Sequence, residues 1–303
     1  MRLEKPFSAL SIAECQLCGA EPTDEDSHII PRLISKALIK IKAGGHHRFR
    51  FTDNPNTIQQ DTLSLPFLGK NCEDLFGKYE THFAPKYRKY LLNKSSPLEI
   101  DEDSYRLLVS ISWRTAKLLL HTLPPEQGEH LKAPEEFWKE YLLQRRSDVG
   151  QHHLYLFSAR DFKDSEIQAS QRLTKTHLNN VIGMHVNGFY GTAQIKHALI
   201  NNLGPLILCG QLRNLKAGTP SETQSWNDFL IKPGTVIPST ARDLPPGVVE
   251  AIDEQITWTA NKIDSMSEVQ KQKQKAFADR HLKNTPLYEL VEEDKRLFPS
   301  DAE

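Results

Sequence analysis

The sequence predicts an α+β protein in two unequal parts. A small, metal-held module occupies residues 1–95, a larger mixed helix and strand domain spans 96–265, and a polar helical tail covers 266–303. Three observations predict this. A Cys15-x-x-Cys18 pair and a lone Cys72 bracket the first part, where thiolate spacing points to a metal-held fold. Helical stripes then alternate with short apolar runs of strand character. Finally, the chain from Ser267 loses its apolar periodicity.

The first element is PRLISKALIKIKAGG. Pro31 suits a first helical turn, where its missing N–H costs nothing. Leu33, Ile34, Ala37, Leu38 and Ile41 share one side, Lys36 and Lys40 the other, and Gly44-Gly45 ends the helix. HRFRFT reads as a short strand and DNPNT as a turn. KNCEDLFGKYETHFA is a second helix expected to break at Pro85 and resume as PKYRKYLLNK.

Beyond Ser95-Ser96-Pro97, EDSYRLLVSISWRTAKLLLHTL carries an apolar stripe (Leu107, Leu108, Ile111, Leu118, Leu119) and a capping serine, and is predicted as a core helix. APEEFWKEYLLQRR is another helix. HHLYLFSA, NVIGMHVNGFYG, PLILCGQL and DFLIKPG have strand character, and GVVEAIDEQITWTANKI returns to helix.

The chain of 303 residues carries a formal net charge of −1, so no global basic field marks a polyanion partner. Locally, Arg32, Lys36, Lys40, Lys42, Arg48 and Arg50 run without an acidic residue between them, and Lys86, Arg88, Lys89 and Lys94 follow. Such clusters can meet phosphates, and they can equally be solvated helix faces. The first residues, MRLEKPFSALSIAEC, contain no long apolar run, which predicts a cytoplasmic protein without signal or membrane anchor. Four cysteines in a chain of this size do not make a disulfide scaffold.

A structural zinc needs four ligands, and Cys15 and Cys18 supply two, with Gly19 allowing the tight turn. The matching half reads Gly69-Lys70-Asn71-Cys72, so a glycine stands where a fourth cysteine is expected. His46, His47, His82 or a water are candidates to complete the set, and redox chemistry is the competing use of the pair. Cys209 sits in an apolar run and reads as a buried core thiol.

Taken in order, Cys15-x-x-Cys18-Gly19, Ser27-His28-Ile29-Ile30-Pro31 and Phe67-Leu68-Gly69-Lys70-Asn71-Cys72-Glu73 resemble the HNH (ββα-metal) nuclease superfamily. They are most like a bacterial branch associated with restriction and antiphage defence, whose signature continues here as Leu75-Phe76-Gly77-Lys78-Tyr79-Glu80. The likeness covers roughly the first 90 residues. It implies metal-dependent phosphodiester hydrolysis, with DNA as the expected substrate and a companion ATPase or sensor as the expected partner. His28 matches the general base. Glu73 takes the place of the family's metal-binding histidine, and a carboxylate suits Mg²⁺ or Mn²⁺. Structural zinc is implied at Cys15, Cys18 and Cys72.

Asp26 and Glu80 are further acidic candidates near the cation, although Glu80 stands about 10 Å along the helix from Glu73. That spacing favours a supporting or ion-pair role, with Lys78 or Lys86 as partner. Arg32, Lys36, Lys40, Arg48, Arg50, Lys86, Arg88 and Lys89 are the expected phosphate contacts. Two departures stand out: Ser27 replaces the aspartate common in the family, and Ser64 is the nearest counterpart by spacing of its asparagine. They leave two readings, an active branch with its own ligand set and a degenerate zinc module that binds nucleic acid or protein without cutting.

Overall fold

The computed structural model describes residues 10, 12–23, 27–46, 49–50, 56, 58–59, 62–93, 95–161, 186–191, 198–212, 226–245, 248, 254, 257, 261, 264–289 and 292. Within them the protein is mixed α+β, with helices set against several small antiparallel sheets.

The amino-terminal segment is folded by its own hydrogen bonds. The Cys15 N–H donates to the Glu21 carbonyl at 2.8 Å, and Gly19, at φ +71°, closes the turn back onto the Cys15 carbonyl. Only a residue without Cβ adopts that left-handed conformation freely. Strand β1 (Ser27–His28) follows, then helix α1 (Arg32–Lys42). Pro31 precedes the first helical residue as its cap instead of lying inside the first turn. Ile34, Ala37 and Leu38 are buried, so the predicted stripe is the packed face.

Strands β2 (Phe49–Arg50) and β3 (Ile58–Gln59) pair with each other. Strand β4 (Ser64–Leu65) returns to pair antiparallel with β1, setting Ser27 opposite Leu65 and His28 opposite Ser64. Helix α2 (Lys70–Leu92) begins five residues after β4 ends. The order strand, strand, helix is that of a ββα unit, with α1 and the β2–β3 pair inserted between the two strands.

The break expected at Pro85 does not occur: α2 runs unbroken from Lys70 to Leu92. Pro85 and Thr81 are both exposed. The carbonyl that a residue at position 85 would normally bond to therefore faces water, which replaces the lost donor. On the opposite side Phe83 and Tyr87 are fully buried and stacked, with ring centroids 5.9 Å apart, and this packing holds the helix together across the proline. Burial of two such rings contributes about 1.5–3 kcal/mol each, comparable with the proline penalty of about 3 kcal/mol.

Strand β5 (Leu98–Ile100) leads into α3 (Glu102–Thr122), the central helix of the molecule. Its cap is Asp101, which accepts the Ser104 backbone N–H at 3.0 Å; Ser104 is the residue capped and not the capping one. Asp101 outcompetes the serine because it precedes the helix with extended backbone geometry. Helix α4 (Pro125–Leu142) packs on α3 and begins eight residues earlier than the apolar stripe indicated.

A five-stranded antiparallel sheet follows, built from β6 (Leu154–Ser158), β7 (Val186–Gly191), β8 (Ala198–Leu203), β9 (Leu206–Gln211) and β10 (Leu230–Ile231), in the order β10-β6-β9-β8-β7. Side chains alternate between its faces. Leu154, Leu156, Leu206 and Leu208 join the main core under α3, while Tyr155, Phe157, Ile207 and Cys209 form a second core with Trp226 and Phe229. Cys209 is thus a buried core thiol, as its neighbours suggested. Strand β8 is buried on both faces, as are β6 and β9, and places Asn201 and Asn202 in the interior. Strand β11 (Thr235–Ile237) pairs back with β5. Most of the helix expected over 247–263 lies outside the described residues. Helix α5 (Glu268–His281) in the tail buries no side chain.

The main core is continuous across residue 95, from Cys15 and Phe76 to Leu206 and Leu287. Tyr87 of α2 donates to the Leu203 carbonyl of β8 at 2.6 Å, and Arg160 donates to the carbonyls of Tyr90, Asn93 and Ser96. Among the described helices, none is long and apolar enough to cross a membrane.

Candidate metal centre and adjoining strand–helix site

The ligand atoms of Cys15, Cys18 and Cys72 all lie within 4.8 Å of one another. The amino-terminal turn supplies the first two and the opening turn of α2 the third. All three are free thiols; Cys15 and Cys72 are buried and Cys18 half-buried. The Cys72 side chain is the main influence that pulls the Cys15 thiol down to about 5; burial opposes it, and the backbone N–H groups of Cys18, Gly69 and Leu17 add to it. Contact with Cys15 and burial together push the Cys72 thiol up. A proton shared between neighbouring sulfurs behaves this way, and a divalent cation is the natural replacement for it. Amide donors aimed at a sulfur are what a metal-bound thiolate requires. The donor set therefore fits a metal such as zinc, with three of its four usual ligands provided.

Among the described residues no histidine completes the set. His82 bonds Asp101 at 2.6 Å, His46 stacks on His281 with centroids 4.9 Å apart, and His47 lies outside the described residues. The space beside Gly69 belongs to another residue. A Cβ built at position 69 would lie 2.5 Å from the Glu21 Oε2 and 2.6 Å from the Glu21 Cβ. Glu21 accepts hydrogen bonds from the backbone and side chain of Asn71, which fixes its carboxylate at the start of α2. Glu21 is thus packed where a side chain at position 69 would go.

On the far side of Cys72, the first turn of α2 meets β1. The Ser27 side chain, fully buried, accepts the Leu68 N–H at 3.2 Å and donates to the Glu73 Oε2 at 3.0 Å. Glu73 is half-buried in the first turn, where the helix dipole favours a negative charge. Side chains alternate along a strand, so Ser27 turned inward to α2 leaves its half-buried neighbour His28 on the outward side. Ser64 stands directly across from His28 in the β1–β4 ladder.

Glu80 is engaged elsewhere. Its Oε1 accepts from the Arg114 Nη2 at 3.3 Å, so its ion-pair partner is neither Lys78 nor Lys86. Lys86 donates to Asp101. Burial opposes ionisation of that carboxyl, but hydrogen bonds from Lys86, Ser104 and His82 outweigh it and hold Asp101 well below the usual carboxylate range. Arg32, Lys36 and Lys40 recur every four residues on α1 and are all exposed, as are Arg88 and Lys89 on α2. Arg50 lies on β2, and Asp26 and Arg48 lie outside the described residues.

Two residues of this region escape a reading by motif. Glu21 belongs to no metal-ligand spacing. Arg114 left one signal: positions 107, 111, 114 and 118 continue the apolar stripe of α3, and an arginine occupies one of them.

Neither a protein-family model, nor a curated protein, nor a solved structure matches the chain.

Proposed function

We propose that this protein is a metal-dependent endonuclease of the HNH (ββα-metal) type that hydrolyses phosphodiester bonds in DNA. The observation that carries this reading is the Ser27–Glu73 hydrogen bond, which docks the strand bearing His28 against the opening turn of the cysteine-bearing helix. The same turn carries Cys72 one residue before Glu73, so a structural metal and a catalytic site would share one rigid support.

In this reading His28, on the outward side of β1, takes a proton from a water as it attacks phosphorus. The new P–O bond forms as the bond to the 3′ oxygen breaks, and that oxygen leaves with the electron pair and is protonated from solvent. Glu73, with Ser27 beside it, would hold Mg²⁺ or Mn²⁺, which supplies charge stabilisation at the phosphorus and the departing oxygen. Arg32, Lys36 and Lys40 form an exposed stripe that starts four residues after His28. Arg88 and Lys89 add a second group on α2, and such cations grip backbone phosphates without reading sequence.

A cytoplasmic place and a companion ATPase or sensor that restrains cleavage complete the proposal, as does a role in antiphage defence. One observation favours a second reading. A serine hydroxyl occupies the Glu73 carboxylate where the family carries a second acid, which suits a non-catalytic zinc module that binds nucleic acid or a partner protein.

Nicking of supercoiled plasmid with Mg²⁺ or Mn²⁺ separates the two. Under the endonuclease reading wild type nicks, EDTA stops it, and Glu73→Ala abolishes nicking while retaining DNA binding. Binding without metal-dependent nicking by wild type would select the module.

A further inference from the structure

Arg114 is a charged side chain with no exposed surface, set in the apolar face of α3. Its Nη1 donates to the His28 carbonyl at 2.8 Å, its Nη2 pairs with Glu80, and its guanidinium lies 4.7 Å above the Phe76 ring. Its Nε has no partner. Burying a charge is costly, and an apolar pair of similar volume often serves stability as well. One of the two Arg114 hydrogen bonds goes to a backbone group, the carbonyl of His28. Arg114 is also 86 positions away from it, in a helix outside the ββα unit.

Resting on the endonuclease reading, we propose that Arg114 is a positioning residue: with Glu80 it locks the β1 backbone at His28 against α2, and so sets where the imidazole stands relative to Glu73. Three elements meet at this guanidinium. The fork geometry of arginine matters, because one nitrogen must reach a carbonyl while another faces a carboxylate. Lysine carries its donors on one nitrogen and lacks the planar fork that presents two nitrogens side by side. Glu80 acts through the arginine and not on the cation. The ββα unit is then incomplete without α3, and the cleavage geometry is set by the larger part of the chain.

The test uses the full-length chain in three forms beside wild type: Arg114→Lys, Glu80→Gln and the apolar double variant Arg114→Met/Glu80→Met. Circular dichroism and bound-metal content establish that each is folded with its cysteine site intact. The readout is the split between kcat and KM in Mn²⁺-dependent plasmid nicking. A misplaced base lowers kcat on the order of a hundredfold while KM for DNA stays near wild type. Glu80→Gln, which leaves the arginine buried, gives a smaller loss of the same kind. If the double variant does not fold, Arg114→Lys and Glu80→Gln carry the comparison. Wild-type kcat in the folded variants would overturn the positioning role and leave the endonuclease reading standing. Absence of nicking by wild type itself would remove both.

Discussion

Ser27 and Glu73 lie 46 positions apart and are joined by a 3.0 Å hydrogen bond from the serine Oγ to the carboxylate Oε2. The serine is fully buried and also receives the Leu68 N–H. One hydroxyl thus ties a strand, the loop before α2 and the first turn of that helix.

Replacing it tests what the pocket accepts. Ser27→Ala orphans the Leu68 N–H and costs about 1–3 kcal/mol. Ser27→Asp sets a second carboxylate beside Glu73, where like charges repel unless a cation sits between them. Thermal melts should show Ser27→Asp well below wild type in EDTA and largely restored by Mn²⁺. Equal melting with and without the ion would mean that no cation site lies there.

The cysteine cluster predicts about one zinc per chain by elemental analysis, given its tetrahedral chemistry. Cys72→Ser should lose that zinc and melt at lower temperature, whereas Cys209→Ser, in a different core, should keep it. Gly69→Cys alone should not tighten binding, since its Cβ would meet the Cβ of Glu21. Combining it with Glu21→Gly should give a four-thiolate site that holds zinc against a stronger chelator.

Helix α2 carries a glycine with open space beside it: a Cβ at Gly77 would touch nothing within 4 Å. Gly77→Ala should therefore stabilise the protein by about 0.5–1 kcal/mol in urea unfolding, by removing backbone freedom from the unfolded chain.

His152 is buried in the α4–β6 connection. Its Nδ1 faces the Gln211 carbonyl at 3.1 Å, and its Nε2 has no partner. Burial, the largest influence, lowers its pKa below the ordinary histidine value, so the folded protein holds it neutral. The unfolded chain binds the proton first as pH falls. Stability is therefore full above about pH 6.5 and declines as pH drops from there toward the depressed folded value. His152→Gln should show a shallower loss than wild type when urea midpoints are compared at pH 7.5 and 5.5. An unchanged slope would place the acid sensitivity elsewhere, with His121, also lowered by burial, as the next group to vary.

The mixed α+β class, the three-cysteine grouping and helix α1 were legible in the sequence, because spacing and apolar period are local properties. The unbroken α2 was not. A proline announces a break, and only the burial of Phe83 and Tyr87 beneath it shows why the helix continues. Strand β8 was hidden because Asn201 and Asn202 interrupt its apolar run, although both are buried in the fold. Arg114 and Glu21 were hidden for a related reason. Each matters through contacts to segments far away or to the space beside a glycine, and neither relation has a spacing along the chain.

The most direct test compares wild type with His28→Ala in single-turnover nicking of supercoiled DNA at saturating Mn²⁺, with DNA binding measured alongside. The endonuclease account predicts a wild-type rate that rises with metal, and a His28→Ala chain that binds DNA equally but cuts at least about a hundredfold more slowly. A His28→Ala chain that nicks at the wild-type rate would contradict it.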